Sequence, residues 1–172
     1  MIKFVSTSSK ETQKIGRDLA ENLFKKKVKS NATVISLEGD LGGGKTTFTK
    51  GFARGLNLRE KIKSPTFVIM RKHQITTDSK QQTTSVKRQN DCRFKVENCK
   101  FRYFFHLDCY RIQNQKDILA LGWKDIIKSS ENIILVEWGN KIKKILPRGT
   151  IHIKFDFIDD KKRKIRIKNF SL

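Results

Sequence analysis

A glycine-rich segment in the first third of the chain has the residue types and spacing of a phosphate-binding loop. Residues 39–46 read Gly-Asp-Leu-Gly-Gly-Gly-Lys-Thr and match the pattern G-x-x-x-x-G-K-[ST] in full. Glycines let the backbone curl so that several N–H groups point at one phosphate, and the helix that follows adds its positive dipole end. In such a loop Lys45 reaches the β- and γ-phosphate oxygens and the Thr46 hydroxyl binds Mg²⁺. The segment therefore predicts a nucleoside triphosphate site.

Hydrolysis of a triphosphate also requires a carboxylate that holds the metal or orients water, and two acids are candidates. Glu137 directly follows the apolar residues 133–136, and Asp108 directly follows residues 104–107. If both segments are parallel strands, both carboxylates lie at the carboxyl edge of the sheet, where open α/β folds bind ligands. For each acid, a helix cap or a surface ion pair is the alternative role.

Several neighbours of these acids allow more than one interpretation. His106 faces the same way as Asp108 on a strand, and we interpret it as a hydrogen-bonded structural residue and Cys109 as core. Trp138 suits either core packing or a cover over the nucleotide, and its position alone favours the core. Residues 140–143 begin like the guanine-reading N-K-x-D motif but have Lys143 in place of the acid, which favours ATP over GTP.

The elements that must position these residues can be inferred from hydrophobic periodicity. Residues 4–23 predict a strand and then a helix capped by Ser8 or Ser9. The β-branched residues 32–37 predict a buried strand before the loop, and a helix is expected from about Lys45 to Leu56. Further predicted elements are strands starting at 67–70 and covering 101–107 and 133–136, helical residues 114–127 interrupted by Gly122, and an antiparallel hairpin over 151–167.

This order of elements predicts the fold class and the domain organisation. Strand–helix alternation followed by a hairpin indicates an α/β three-layer sandwich, with a mainly parallel central sheet and a C-terminal antiparallel hairpin. Residues 1–172 suit a single domain. The polar stretch from His73 to about Lys100 follows neither period, so we expect a long surface loop there.

Composition limits the class of protein without deciding its function. The chain has 38 lysines and arginines against 17 acids, for a net charge of +21. It contains neither an apolar run of membrane-span length nor a secretion signal. Its three cysteines match no zinc pattern, so we expect a reduced, cytoplasmic protein. The charge suits work near RNA, but a lysine-rich coding bias explains it equally well.

Four motifs together resemble one family of small bacterial P-loop ATPases. They are the loop continued through Thr47 and Phe48, then Ser64-Pro65-Thr66-Phe67, His106-Leu107-Asp108-Cys109-Tyr110-Arg111, and Val136-Glu137-Trp138. Their order is similar to that of the TsaE family, formerly YjeE, which acts in the synthesis of threonylcarbamoyladenosine in tRNA. A phosphate loop alone fits many NTPases, whereas four motifs in order are specific.

The resemblance implies a P-loop fold, weak Mg²⁺-dependent ATP hydrolysis and partnership with the TsaB and TsaD proteins, through which tRNA is engaged. In the family the ATPase cycles the transferase complex and does not transfer the group itself. The residue roles that it implies are nucleotide contacts from Gly42, Gly43, Gly44, Lys45, Thr46, Thr47 and Trp138, a metal site at Thr46 and Glu137, catalytic roles for Lys45, Asp108 and Glu137, and a γ-phosphate switch at Ser64, Pro65 and Thr66.

Two departures from the family pattern are visible, and two other functions stay open. Gly43 replaces the family's usual alanine, which we expect to change little, and the connection over 73–100 is longer than usual. The alternatives are a basic RNA-binding module with a regulatory nucleotide site and a small P-loop kinase. Salt-dependent RNA affinity without turnover would indicate the first, and an acceptor-dependent burst of ADP the second.

Overall fold

The computed structural model describes residues 1–26, 30–58, 68–75 and 100–171. Within this part of the chain, one sheet contains the strands β1 (Ile2–Ser6), β2 (Thr33–Glu38), β3 (Met70–Gln74), β4 (Tyr103–Asp108), β5 (Asn132–Glu137), β6 (Ile151–Phe157) and β7 (Arg163–Lys168). The helices are α1 (Ser9–Lys25), α2 (Lys45–Gly55), α3 (Gln115–Ala120) and α4 (Trp123–Lys128), and a 3-10 segment covers Gly139–Ile145.

The sheet has a parallel centre with antiparallel strands on both sides. Its strand order is β1-β7-β6-β2-β5-β4-β3, and the neighbours β6, β2, β5 and β4 run parallel. β7 and β1 extend the sheet antiparallel on one side, and β3 does so on the other. The predicted α/β fold with a C-terminal hairpin is confirmed, while the antiparallel pairings of β1 and β3 were not predicted.

Helices cover both faces of the central strands, which gives three layers. On one face, α1 and α2 bury a core of aliphatic and aromatic side chains that includes Phe48, Phe52 and Phe104. On the other face, α3, α4 and the 3-10 segment bury a second core around Trp123 and Ile134. β2 and β5 are buried along almost their whole length, as expected for central parallel strands.

Local signals set the ends of the helices. Ser8 caps α1, because its hydroxyl accepts a hydrogen bond from Glu11 N at 3.2 Å. Asn114 caps α3 in the same way, and Gly122, with φ of 79°, separates α3 from α4 as predicted. α1 packs closely on α2, since a Cβ on Gly51 would lie 2.0 Å from a backbone oxygen of α1. This packing holds α2, and with it the phosphate loop, against the sheet.

One predicted boundary is wrong. The loop expected from His73 begins later, because β3 continues pairing with β4 as far as Gln74 opposite Tyr103. The remainder of the predicted loop, residues 76–99, lies outside the described residues, as does the predicted switch at Ser64, Pro65 and Thr66. Among the helices of the described segments, none has the length and apolar character needed to cross a membrane.

Candidate nucleotide-binding site

The glycine loop connects the end of β2 to the start of α2, as the sequence predicted. Gly44 occupies the N-cap position of α2 with φ of 100°, a left-handed conformation that favours glycine. In the part of the chain that the structure describes, no side chain caps this helix end, so the first N–H groups of α2 can bind an anion. Gly42, with φ of 74°, is the other left-handed glycine between residues 40 and 44. The backbone therefore has the form required of a phosphate cradle.

Lys45 is buried at the start of α2 and its ammonium is bound by the loop itself. Nζ donates to the carbonyl oxygens of Gly39 at 2.7 Å and Asp40 at 2.8 Å. It also lies 3.7 Å from the centre of the Trp138 ring, a cation–π contact. Burial lowers the pKa of Lys45, and the negative charges of Glu137, Asp108 and Asp40 partly oppose that shift. A bound phosphate would have to replace the two carbonyl contacts.

Glu137 is fully buried at the end of β5, and its two carboxylate oxygens have different partners. Oε2 accepts a hydrogen bond from the Thr46 hydroxyl at 2.7 Å. Oε1 lies 3.0 Å from the Thr49 hydroxyl, which donates, and 2.9 Å from Nε2 of His106. Oε1 is thus held by α2 and β4, whereas the Thr46 hydroxyl is the one hydrogen-bond partner of Oε2 among the described residues. A threonine hydroxyl beside a carboxylate oxygen is the hard donor set that Mg²⁺ prefers, so these residues fit the predicted metal.

Two residues of this cluster were missed or given a smaller role by the sequence reasoning. Thr49 was not considered, although it lies one helical turn after Lys45 and therefore on the same side of α2. Its hydroxyl also contacts Lys45 O at 2.9 Å. His106 is hydrogen-bonded and fully buried, as interpreted, but its partner is the candidate metal ligand. Nδ1 of His106 has no hydrogen-bond partner among the described residues, so Nε2 is the ring nitrogen through which His106 contacts Glu137.

Asp108 lies beside Glu137, because the two residues are paired in the parallel register of β4 and β5. Its side chain is buried, and Oδ1 accepts a hydrogen bond from Tyr110 N at 2.9 Å. One oxygen of Asp108 thus stabilises the turn after β4. The sequence prediction that both acids meet at the carboxyl edge of the sheet is confirmed. Cys109 is fully buried, as expected, and burial raises the pKa of its thiol to about 12.

Trp138 lies against the phosphate loop and packs only partly into the core. Its backbone is left-handed, with φ of 62°, and the ring contacts both the Lys45 ammonium and, at 5.1 Å between centroids, Tyr110. Lys141, in the partial N-K-x-D match, donates from Nζ to the backbone oxygens of Tyr110 and Ile112. Lys141 therefore ties the turn after β4 to the 3-10 segment, a structural role that accounts for its position.

A polar cleft of about 330 Å³ adjoins the loop on the side of α1 and the C-terminal hairpin. Its lining comes from the start of α1, the loop and the β6–β7 turn, and includes Thr7, Ser8, Ser9, Thr12, Gly42, Gly44, Thr47, Asp160, Lys161 and Arg163. Thr47, Gly42 and Gly44 belong to this lining, whereas Lys45 does not. The loop is therefore continuous with a space large enough for part of a small ligand.

The space around Gly43 differs from what the sequence suggested. A Cβ at this position would lie 2.9 Å from Asp40 O, the atom that accepts hydrogen bonds from Lys45 and from Gly43 N. An alanine would therefore require the Asp40 carbonyl to shift. The expectation that glycine here changes little is not supported by this packing, since glycine permits a tighter loop.

Comparison with known proteins decides the family. A family model described as "Threonylcarbamoyl adenosine biosynthesis protein TsaE" matches residues 6–87 and 92–165, most of the chain. The chain belongs to the TsaE family. The resemblance drawn from the four motifs is therefore confirmed.

Individual TsaE relatives agree with this assignment. The chain is 34% identical over 132 residues to the TsaE protein of Bacillus subtilis, which covers 77% of this chain and 66% of that relative. It is 31% identical over 162 residues to TsaE of Rickettsia typhi, covering 94% and 90% of the two chains. The crystal structure of YdiB from Bacillus subtilis matches with a TM-score of 0.62 and 27% identity, over 95% of this chain and 82% of that one.

Proposed function

We propose that this chain is a Mg²⁺-dependent ATPase that serves threonylcarbamoyladenosine modification of tRNA by cycling a TsaB–TsaD transferase complex. Family membership supports the pathway. The convergence of Thr46, Thr49 and His106 on the buried carboxylate of Glu137, next to the glycine loop, is the observation that carries the ATPase. A protein that only binds a nucleotide does not require a buried carboxylate beside its phosphate loop, whereas hydrolysis requires one to hold the metal or orient water.

In the proposed reaction, the loop amides and Lys45 bind the phosphates. The ammonium would leave the carbonyl oxygens of Gly39 and Asp40 for the β- and γ-phosphate oxygens. There it would offset negative charge while a water oxygen bonds to the γ-phosphorus, the bond to the ADP oxygen breaks, and ADP and inorganic phosphate are released. Thr46 and Glu137 would hold Mg²⁺, which when bound neutralises phosphate charge. Asp108, at the end of the neighbouring strand β4, would support hydrolysis by accepting hydrogen bonds from water, either the attacking molecule or others in the site.

The cleft beyond Thr47 would receive the nucleoside. Its walls offer hydroxyl groups from the start of α1 and charged groups from the β6–β7 turn, both suited to ribose and base hydrogen bonds. We propose adenine as the base, because Lys143 stands where guanine-binding proteins have their acid. Weak activity of the isolated chain is expected, since Ser64, Pro65 and Thr66 would act as the switch that partner docking completes.

The test is an ATPase assay with and without purified TsaB and TsaD, in the presence of tRNA and Mg²⁺. We expect slow turnover alone and stimulation by the two proteins together. Glu137→Ala should bind nucleotide and lose turnover under both conditions. No stimulation at any tRNA or Mg²⁺ concentration would contradict the cycling role, while undiminished hydrolysis by Glu137→Ala would remove this residue from the mechanism.

A further inference from the structure

The three strands at one side of the sheet present two very different faces. On the face that points towards α1 and α2, apolar side chains of β1, β7 and β6 belong to or pack against the first core, among them Phe4, Phe155 and Ile165. The side chains that point the other way are exposed or half-exposed and are mostly cations. We call the second set the basic face; it consists of Lys3, Val5, His152, Lys154, Asp156, Lys164, Arg166 and Lys168.

The register of the strands places three cations of the basic face directly side by side. Arg166 of the central strand β7 is opposite Lys3 of β1 and opposite Lys154 of β6. Adjacent strands are about 4.8 Å apart, and like charges directly opposite each other destabilise a sheet. Asp156 is the carboxylate within this face that offsets them, 2.8 Å from Arg166 and 3.8 Å from Lys154. The stability of the fold therefore does not explain why Lys3, Arg166 and Lys154 lie side by side in a row.

Lysines continue along the central strand in both directions from the row. Lys164 and Lys168 lie two residues before and after Arg166, at a spacing of about 7 Å along the strand. A lysine on an edge strand also discourages pairing with another sheet, and this explains Lys3. Protection of a sheet edge does not explain Lys154, because β6 lies inside the sheet between β7 and β2. The face ends at Glu38 of β2, whose carboxylate is paired with His152 at 3.2 Å.

We infer that the basic face binds the phosphate backbone of RNA. Protein interfaces have an apolar centre from which charged residues are depleted, whereas nucleic-acid interfaces are polar and strongly positive. Val5 is the one apolar side chain of the basic face, and Lys164 of β7 lies directly opposite it. The family's link to tRNA supplies an RNA partner. The inference rests on family membership and does not depend on ATP hydrolysis.

The test compares two triple variants that remove the same charge. One neutralises the basic face, with Lys3→Gln, Lys154→Gln and Lys164→Gln. The other is the control, with exposed lysines of α3 and α4 replaced, Lys116→Gln, Lys124→Gln and Lys128→Gln. Binding to an unmodified tRNA transcript is followed by fluorescence anisotropy over a series of KCl concentrations, and nucleotide affinity of each variant is measured in parallel.

We expect the basic-face variant to lose both affinity and salt dependence. Each lost phosphate contact makes the slope of log K against log salt less negative by about 0.7 to 0.9, so three contacts change the slope by about 2 to 3. At ~0.1 M salt this weakens binding by roughly 100- to 500-fold. The control should keep the wild-type slope. Equal losses in the two variants, or no salt-dependent binding by the wild type, would overturn the inference.

Unchanged nucleotide affinity in the basic-face variant establishes that it is folded and that the RNA result is separate from the ATPase proposal. If the triple variant does not fold, Lys164→Gln alone is used in the same assay. Its slope should become less negative by about 1. An unchanged slope would contradict a phosphate contact at the central strand.

Discussion

Replacing His106 with phenylalanine tests whether this histidine holds the carboxylate of Glu137 in position. The substitution removes the Nε2–H group that lies 2.9 Å from Oε1, yet it keeps a buried ring beside Phe104. Oε1 would then depend on the Thr49 hydroxyl, which it shares with a backbone oxygen of α2. The carboxylate should turn more freely, and Oε2 should spend less time beside Thr46.

The size of the effect follows from the hydrogen bond that is lost. A hydrogen bond to a charged group contributes about 1.5 to 3 kcal/mol net, which corresponds to roughly a 10- to 150-fold change. We expect this loss in the apparent affinity for Mg²⁺ in the presence of nucleotide and in turnover at limiting Mg²⁺. Affinity for ADP without Mg²⁺ should stay near the wild-type value, because His106 contacts no part of the phosphate loop in the described structure.

The assay therefore measures Mg²⁺ dependence by nucleotide fluorescence as well as by turnover, with thermal unfolding as a check of stability. His106→Gln is the matched variant, since its amide N–H can donate to Oε1 and should recover part of the loss. Wild-type Mg²⁺ dependence in His106→Phe would refute the positioning role. The role would also be refuted if His106→Phe and His106→Gln lost Mg²⁺ affinity equally and in proportion to their loss of thermal stability.

Three further predictions concern the loop and the core. Lys45→Ala should weaken ATP binding by about 3 kcal/mol or more, on the order of a hundredfold, because two charge-assisted contacts are lost. In a Trp123→Phe background, ATP should change the fluorescence of Trp138 as the ammonium leaves its ring, and an unchanged spectrum would show that Lys45 does not move. With the other cysteines replaced by serine, Cys109 should resist thiol reagents until denaturant is added. Burial raises the pKa of the Cys109 thiol from the ordinary 9.0 to about 12, so above pH 9 the unfolded chain loses this proton before the folded chain does. The free energy of unfolding should therefore fall by about 3 kcal/mol between about pH 9 and 12, and this part of the fall should be absent in Cys109→Ala.

The sequence predicted those parts of the site that local spacing determines. The loop from Gly39 to Thr46 is a continuous pattern, and its conformation depends on glycines and on the helix that starts at Lys45. Glu137 and Asp108 could be placed at one sheet edge because each ends a continuous apolar strand. These predictions needed no knowledge of which strands are neighbours.

Contacts between distant elements could not be predicted in this way. Thr49 and His106 meet at Glu137 because β4 is next to β5 and α2 lies over both strands. The order of strands in a sheet cannot be predicted from local hydrophobic periodicity. The same holds for the basic face. The alternation of Lys164, Arg166 and Lys168 is visible in the sequence, but the row that Arg166 forms with its neighbours depends on the register. The extension of β3 to Gln74 was missed because polar edge strands have no clear hydrophobic signal.

Calorimetric titration of the chain with ATP at saturating Mg²⁺ tests the central claim most directly. That claim is that main-chain amides of the loop, the Lys45 ammonium and a metal held at Thr46 and Glu137 together bind the triphosphate. We predict saturable heat at one nucleotide per chain, and weaker but measurable binding of ADP. Absence of heat for both nucleotides would contradict the account.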